Sequence, residues 1–184
     1  MANMLVMTVI GQDRPGLVDA VAATVGEHGG NWLESRMSRL GGQFAGILRV
    51  EVPAGHETQL VSALRQLEAR GLTVVVHTDP QEPVERRVRL SMLEIVGQDR
   101  PGIVRQISRA LAQAGVNIEE LHTERASAAM TGEALFKARA LLSLPVSCDT
   151  EQLRRELEKV AADLIVDVSF ADVDEPSPPS LSPT

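Results

Sequence analysis

The chain has 184 residues, a formal net charge of −7 and a hydrophobic share of 43%. The negative charge argues against direct binding to nucleic acid, which requires clustered Lys and Arg to neutralise phosphates. No window approaches the roughly 20 apolar residues that a membrane-spanning helix needs. Cys148 is the single cysteine, so no internal disulfide can form, as is typical of a reducing compartment. With no recognisable signal peptide, we expect a cytoplasmic protein that binds neither nucleic acid directly nor a membrane.

A six-residue motif occurs twice in the chain. Residues 11–16 read Gly-Gln-Asp-Arg-Pro-Gly, and residues 97–102 repeat them after a displacement of 86 residues. Each copy follows an apolar, strand-like run and precedes apolar residues at helical spacing. The motif therefore marks the same strand-to-helix joint twice, and it predicts a duplicated domain.

The residue types of the motif suit a turn into a helix. Pro15 is suited to the first helical position. Asp13 and Asp99 are expected to cap exposed helix N–H groups. Gly11 and Gly97 can adopt φ values closed to other residues. Two interpretations remain open at this point. The motif serves turn chemistry alone, or the exposed amides of the helix start also hold a small anion or a ligand carboxylate.

The first unit is predicted to have the element order β-α-β-β-α-β. Its elements are a strand over 4–10, a helix from the motif to His28, strands over 31–40 and 44–52 joined by Gly41 and Gly42, a helix over 56–70 and a strand over 72–77. This order predicts an α+β fold of the ferredoxin-like type, with two helices on one face of a four-stranded antiparallel sheet. The other sheet face is left open and the edge strands unpaired, which favours assembly with a neighbour.

The second unit repeats this order with a longer hairpin. Asn117 matches Asn31 at a displacement of 86 residues and opens the second strand, whereas Phe136 matches Phe44 at 92, so six additional residues lie in the second hairpin. We predict a first domain over 1–79, a linker over 80–87, a second domain over 88–171 and a disordered, Pro- and Ser-rich tail over 172–184.

No reaction centre is predicted. The four histidines show no metal-ligand spacing with one another or with Cys148. Cys148 precedes a predicted helix cap, but no histidine is adjacent to it in sequence. The motif lacks the Lys-Ser/Thr of a P-loop, and no nucleophile elbow or dinucleotide fingerprint occurs. We therefore expect no enzyme activity, no metal and no cofactor. His122, on the strand that Asn117 opens, is the one histidine placed where ligand contacts are expected.

A strand, Asp-Arg-Pro-Gly, a helix, a glycine and an asparagine that opens the next strand together resemble the ACT domain, a module that senses small molecules. The resemblance covers residues 4–78 and 88–171. Two such units with little else in the chain resemble the family of the glycine cleavage system transcriptional repressor. The resemblance implies two tandem ACT domains and regulation by an amino acid that binds where two such domains meet.

The resemblance also implies the residues of the ligand sites. Carried over position by position, one site would consist of Asp13, Arg14, Gly16 and Asn31, and the other of Asp99, Arg100, Gly102 and Asn117. Helix-start amides suit an α-carboxylate, and an asparagine side chain can accept a hydrogen bond from an α-ammonium group.

These observations favour a non-enzymatic regulatory protein that senses a small amino acid, with glycine and serine as the first candidates, and acts through a protein partner. By resemblance, its role would be the transcriptional control of glycine cleavage metabolism. The open sheet faces and edges lead us to expect a homo-oligomer. The alternative is a protein-interaction or oligomerisation module that binds no ligand. Calorimetric measurement of amino-acid binding discriminates between the two.

Overall fold

The computed structural model describes residues 2–78, 88–127 and 133–172. The chain divides into two compact units, Met1–Pro83 and Val84–Thr184. The predicted linker lies outside the described residues, and so does the predicted tail except for Asp172, which ends the last strand. Within the described residues, no helix is both long and apolar enough to span a membrane.

The first unit is a four-stranded antiparallel sheet packed against two helices. Its elements are β1 (Ala2–Gln12), α1 (Leu17–Glu27), β2 (Asn31–Leu40), β3 (Gln43–Pro53), α2 (Glu57–Gln66) and β4 (Leu72–Thr78). A 3-10 turn over Leu67–Arg70 joins α2 to β4, where the sequence predicted one continuous helix. The strand order β2-β3-β1-β4 places β1 between two neighbours, as its apolar composition predicts.

The second unit has the same architecture. Its elements are β5 (Val88–Gln98), α3 (Ile103–Gln113), β6 (Asn117–Ser127), β7 (Ala134–Pro145), α4 (Thr150–Leu164) and β8 (Val166–Asp172). The strand order β6-β7-β5-β8 corresponds strand for strand to that of the first unit. The prediction of two α+β units with the ferredoxin-like element order is confirmed.

Each unit has its own aliphatic core beneath the helices. In the first unit, Leu5 and Met7 of β1 are aligned with Val50 and Leu48 of β3, and all four are buried. Leu60 of α2 is fully buried in the same cluster. Removing such side chains from water stabilises the unit by roughly 1.5–3 kcal/mol for each one that is fully buried.

The sheet faces that carry no helix differ between the units. In the first unit, Thr8 of β1 is aligned with Ile47 of β3 and Val75 of β4, and these two aliphatic side chains are 55% and 47% exposed. The corresponding face of the second unit carries an ion pair between Glu94 of β5 and Arg139 of β7, with a closest N–O distance of 2.8 Å. At this matched position the first face is apolar and the second is charged, although the first face also carries an ion pair between Arg49 and Glu34 at 3.7 Å.

The turn glycines lie where the sequence predicts them. Gly41 and Gly42 join β2 to β3 with φ of 57° and 77°, and Gly29 follows α1 with φ of 70°. The values at Gly41 and Gly42 match the predicted hairpin turn, and the value at Gly29 is typical of a helix C-cap.

Candidate functional site

The strand-to-helix joint, defined as residues 11–16 in the first unit and 97–102 in the second, has the same backbone in both units. Gly16 directly precedes α1 with φ of 90°, and Gly102 directly precedes α3 with φ of 96°. Residues with a side chain rarely adopt these values, so the last glycine of the motif sets the direction in which the helix leaves. The prediction that Pro15 occupies the first helical position is wrong, because α1 begins at Leu17.

The first glycine of the motif is required for a close approach of strands and not for its φ. Gly11 and Gly97 both lie within strands, and neither has a positive φ. A Cβ atom on Gly11 would overlap the carbonyl oxygen of Gly71, and one on Gly97 would lie 2.6 Å from the Cα atom of Val166. The start of the last strand of each unit therefore packs directly against the backbone of this glycine, where a side chain would not fit.

The aspartate of the motif joins the strand end to the neighbouring hairpin. The amide of Asp13 donates to the carbonyl oxygen of Gly42 at 2.9 Å, and the amide of Asp99 donates to that of Ala134 at 3.0 Å. The N-caps of α1 and α3 are glycines without a side-chain hydrogen bond. The prediction that these aspartates cap the helices is therefore wrong.

Both aspartate carboxylates instead pair with an arginine of the second strand. Oδ2 of Asp13 lies 3.4 Å from Nη1 of Arg39, and Oδ2 of Asp99 lies 3.0 Å from Nε of Arg125. Sequence reasoning missed both arginines. The signal was present, since Arg39 and Arg125 are separated by the same 86 residues as the two motifs.

The arginine of the motif contacts different groups in the two units. Arg14 is exposed and donates through Nη2 to the carbonyl oxygen of Arg70. Arg100 is also exposed and donates through Nη2 to Oε1 of Gln98 at 2.8 Å. The identical motif therefore does not hold this side chain in one fixed position.

A shallow pocket adjoins the joint of the first unit. It has a volume of about 410 Å³ and lies between the start of α1 and the segment that leads into β4. Arg14 and Gly16 line it together with Asp19 and Arg70. Two of the four residues predicted for the first site thus share one concave surface.

The asparagine predicted for the first site lies at the other end of the sheet. Asn31 pairs with Glu51 of β3, which pairs with Met4 near the start of β1, whereas Asp13 follows the end of β1. Met4 and Asp13 are nine residues apart, which corresponds to roughly 30 Å in an extended strand. Within one unit, Asn31 therefore does not join Asp13, Arg14 and Gly16 in a single site.

The second unit shows the same separation. Asn117 pairs with Ser143, which pairs with Leu90 near the start of β5, far along the sheet from the second joint. Nδ2 of Asn117 donates to Oε1 of Glu119 at 2.9 Å, and the hydroxyl of Ser143 donates to the same oxygen at 2.5 Å. Within the described residues, the side chain of Asn31 forms no hydrogen bond. The two asparagines thus share a position but not an environment.

The remaining candidate side chains do not converge on either joint. His122 is exposed on β6 and is aligned with Arg139 of β7. Cys148 is half-buried beside Asp149, whose Oδ1 accepts from the amides of Glu151 and Gln152 at 3.0 Å and caps α4, as the sequence predicts. In the described part of the chain, no three His, Cys, Asp or Glu side chains are placed to hold a metal ion.

Comparison with known proteins identifies both units. Residues 3–77 match a family model for the ACT domain, and residues 91–136 match a second ACT domain model. Together the two matches span more than half of the chain. No curated protein sequence matches this chain.

Two solved structures are similar over nearly the whole chain. An unknown protein from Galdieria sulphuraria is 29% identical, and the match covers 95% of this chain and 100% of that chain with a TM-score of 0.85. A protein provisionally named as a glycine cleavage system transcriptional repressor is 19% identical, with 95% of this chain and 99% of that chain covered and a TM-score of 0.71. The second likeness establishes a shared fold.

Proposed function

We propose that this chain, which belongs to the ACT domain family, is a regulatory protein that binds a small amino acid and conveys the binding to a protein partner. The observation that carries the proposal is that the motif joint and the strand-opening asparagine, which we interpret as two unlike half-sites, lie at opposite ends of each sheet. The joint half-site consists of the strand-to-helix joint, and the strand-start half-site consists of Asn31 in the first unit and Asn117 in the second.

The joint half-site suits a carboxylate. The first N–H groups of a helix have no intrahelical partner, and the helix dipole adds roughly half a positive charge there. Gly16 turns the chain directly into α1 without a side-chain cap, so no side chain of the cap residue covers these donors. The guanidinium groups of Arg14 and Arg70 border the same pocket and add positive charge. An α-carboxylate is the part of an amino acid that this surface favours.

The strand-start half-site suits an ammonium group. The amide oxygen of an asparagine accepts hydrogen bonds from such a group. In the second unit, the bond from Nδ2 of Asn117 to Glu119 orients the amide and places a carboxylate beside it. An α-ammonium group would therefore meet both an oriented acceptor and a negative charge.

A single amino acid cannot reach both half-sites of one unit, because they are separated by roughly 30 Å of strand. A complete site therefore requires the joint of one ACT domain to face the strand start of another. A homo-oligomer supplies such a second domain. The pocket at the first joint, about 410 Å³, is large enough for any standard amino acid, so glycine and serine are the first candidates by resemblance alone.

We further propose a specific process for this regulation, the transcriptional control of glycine cleavage metabolism. Its support is the name of the 19% identical structural neighbour. The net charge of −7 is unfavourable for direct contact with DNA phosphates. We therefore place the regulatory effect in a complex with a protein partner and assign the chain no catalytic step.

Isothermal calorimetry of the full chain with each of the twenty standard amino acids tests the proposal. We expect saturable binding of glycine or serine. In sedimentation experiments run in parallel, we expect the oligomeric state to differ between the chain with and without the bound amino acid. N-acetylglycine serves as a matched control because it keeps the carboxylate and lacks the ammonium group. Absence of saturable binding for all twenty amino acids at millimolar concentration would overturn the proposal.

A second candidate function is assembly without a ligand. The observation that favours it is the partly apolar open face of the first sheet, where Ile47 and Val75 are about half exposed. Ile47 and Val75 lie on the two strands that flank β1, on either side of Thr8, and exposed aliphatic side chains grouped on one face are typical of protein contact surfaces. Under this alternative, Ile47→Lys disrupts assembly in sedimentation experiments, and no amino acid binds in the calorimetric panel.

A further inference from the structure

The second strand of each unit carries a β-bulge just after the asparagine that opens it. The register with the neighbouring strand shifts at this point in both β2 and β6. The bulged residue, two positions after the asparagine, is Leu33 in the first unit and Glu119 in the second, and both are exposed. Bulges re-aim side chains and are frequent next to functional sites. The two units therefore share this backbone feature and differ in the side chain that it presents.

In the second unit, the bulged glutamate joins two strands through its side chain. Oε1 of Glu119 accepts a hydrogen bond from Nδ2 of Asn117 at 2.9 Å and another from the hydroxyl of Ser143 at 2.5 Å. Ser143 is aligned with Asn117 across the strand pair and is only 7% exposed. A buried hydroxyl on β7 thus holds the carboxylate, and the carboxylate holds the asparagine.

This network determines which way the asparagine amide is turned. An ionised carboxylate accepts hydrogen bonds and cannot donate them. The part of the Asn117 amide that faces Glu119 is therefore the NH₂ group, and Oδ1 is directed away from it. An acceptor that is oriented before the ligand arrives loses less conformational freedom on binding.

The first unit cannot form the same network. The residue aligned with Asn31 on β3 is Glu51, which has no hydroxyl to donate, and the bulged Leu33 has no polar atom in its side chain. Within the described residues, the side chain of Asn31 forms no hydrogen bond. A ligand that used this amide as an acceptor would first have to order it, at a cost in conformational entropy.

We infer that Glu119 is the positioning residue that makes the start of β6 the ammonium half-site, and that the start of β2, with Leu33 in its place, is not one. This inference rests on the proposed function. The ligand group is the α-ammonium of an amino acid, which donates an N–H to Oδ1 of Asn117 while Glu119 fixes the amide. The chain then binds one amino acid and not two.

A purely structural role for the network is less consistent with the comparison of the units. β2 begins at Asn31 and β6 begins at Asn117, and both strands form the bulge at the same position. The first unit reaches this backbone without the glutamate and without a side-chain hydrogen bond from Asn31. Neither the strand start nor the bulge therefore requires Glu119.

The test compares Glu119→Leu, which installs the residue of the first unit, with Glu119→Gln. Calorimetry of the full chain uses glycine and serine as probes, or the tightest-binding standard amino acid if neither binds. We expect Glu119→Leu to lower affinity about tenfold or more, because the ammonium group then meets no oriented acceptor and no neighbouring carboxylate. Glu119→Gln should stay within about threefold of the unchanged chain, because its amide oxygen still accepts from Asn117 and Ser143.

Two further comparisons control for effects on the fold. Glu124→Leu removes the same charge from the same strand, at a residue that pairs with Lys137 at 3.7 Å, and should leave affinity unchanged. Asn31→Ala should also leave affinity unchanged, whereas Asn117→Ala should lower it about tenfold or more. The asparagine pair and the stoichiometry of the unchanged chain decide the question even if Glu119→Leu does not fold.

The outcomes separate this inference from the proposed function. If the unchanged chain binds none of the twenty standard amino acids, both fail. If it binds one at two equivalent sites per chain, or if Asn31→Ala weakens binding as much as Asn117→Ala, the inference alone fails. It also fails if folded Glu119→Leu binds as tightly as the unchanged chain. Equal losses in Glu119→Gln and Glu119→Leu would overturn the positioning role, because charge and not orientation would then be what Glu119 supplies.

Discussion

The carboxylate of Asp99 lies 3.0 Å from Nε of Arg125, and the same contact recurs 86 residues earlier in the chain between Asp13 and Arg39 at 3.4 Å. In both cases the aspartate follows the central strand and the arginine lies on the edge strand two positions away in the sheet. The contact therefore crosses the intervening strand, β3 or β7, and links three strands at the end of the sheet from which the helix departs.

Asp13→Asn and Asp99→Asn are predicted to weaken ligand binding more than they weaken the fold. Each substitution removes an ion pair that is largely exposed and is therefore expected to lower the free energy of unfolding by less than about 1 kcal/mol. Urea unfolding at low salt and at high salt measures this, and the difference should shrink as salt screens the pair. A loss of several kcal/mol that is insensitive to salt would show that the aspartates are structural in a way that the ion pair does not explain.

Gly11→Ala and Gly97→Ala are predicted to destabilise their units. The added Cβ atom would overlap the carbonyl of Gly71 or lie 2.6 Å from the Cα atom of Val166, and overpacking of this kind costs about 1–3 kcal/mol. Gly26→Ala is the matched control, because Gly26 lies in α1 and its Cβ atom would meet nothing within 4 Å. It should raise the free energy of unfolding by roughly 0.5–1 kcal/mol. Chemical denaturation of the three variants checks the opposite signs.

Ile165→Gly is predicted to stabilise the second unit. Ile165 has φ of 57° at the end of α4, where Gly71 has φ of 72° at the matching place in the first unit. A left-handed conformation costs a residue with a side chain on the order of 1–2 kcal/mol, and Ile165 is 61% exposed, so little burial is lost. We expect a net gain of roughly 0.5–1 kcal/mol after the added chain entropy of glycine. The reciprocal change Gly71→Ala should lower thermal stability, and equal stability of all three chains would contradict the prediction.

Asn31→Ala and Asn117→Ala are predicted to differ in their effect on stability. Asn117 donates to Glu119 at 2.9 Å, and loss of this bond is expected to cost about 1 kcal/mol. Asn31 makes no side-chain hydrogen bond within the described residues, so its replacement should leave the free energy of unfolding nearly unchanged. If both contact a ligand ammonium group, each substitution also lowers affinity by about tenfold or more. Reduced stability with unaltered affinity in both variants would remove the asparagines from the proposed site.

Much of the fold could be predicted because it depends on short-range patterns. Alternating apolar residues around Met7, helical spacing around Leu60 and the glycine pair at 41–42 identify a strand, a helix and a hairpin from a few neighbouring residues. The helix start was less predictable. Pro15 and Asp13 are each favourable near an N-cap, but a third feature, the left-handed Gly16, determines where α1 begins.

The site residues that the resemblance implies do not lie together within one unit, and the reason is topological. A helix between β1 and β2 returns the chain to the end of the sheet at which it started. The element order therefore already places Asn31 far from Asp13, although the two residues are close in sequence. The spacing of motif residues in the sequence does not reveal this distance. It becomes evident only when the direction of each strand and helix is taken into account.

By itself, the sequence determined that the chain contains two copies of one unit and the order of elements in each copy, because periodicity and repetition act through neighbouring residues. Only the tertiary structure decided that Arg39 meets Asp13, that Gly11 lies against Gly71, and that Ile165 adopts the conformation of a glycine. These features depend on the register of strands that are distant in sequence. Register is set by the packing of a whole sheet face and not by any single stretch of residues.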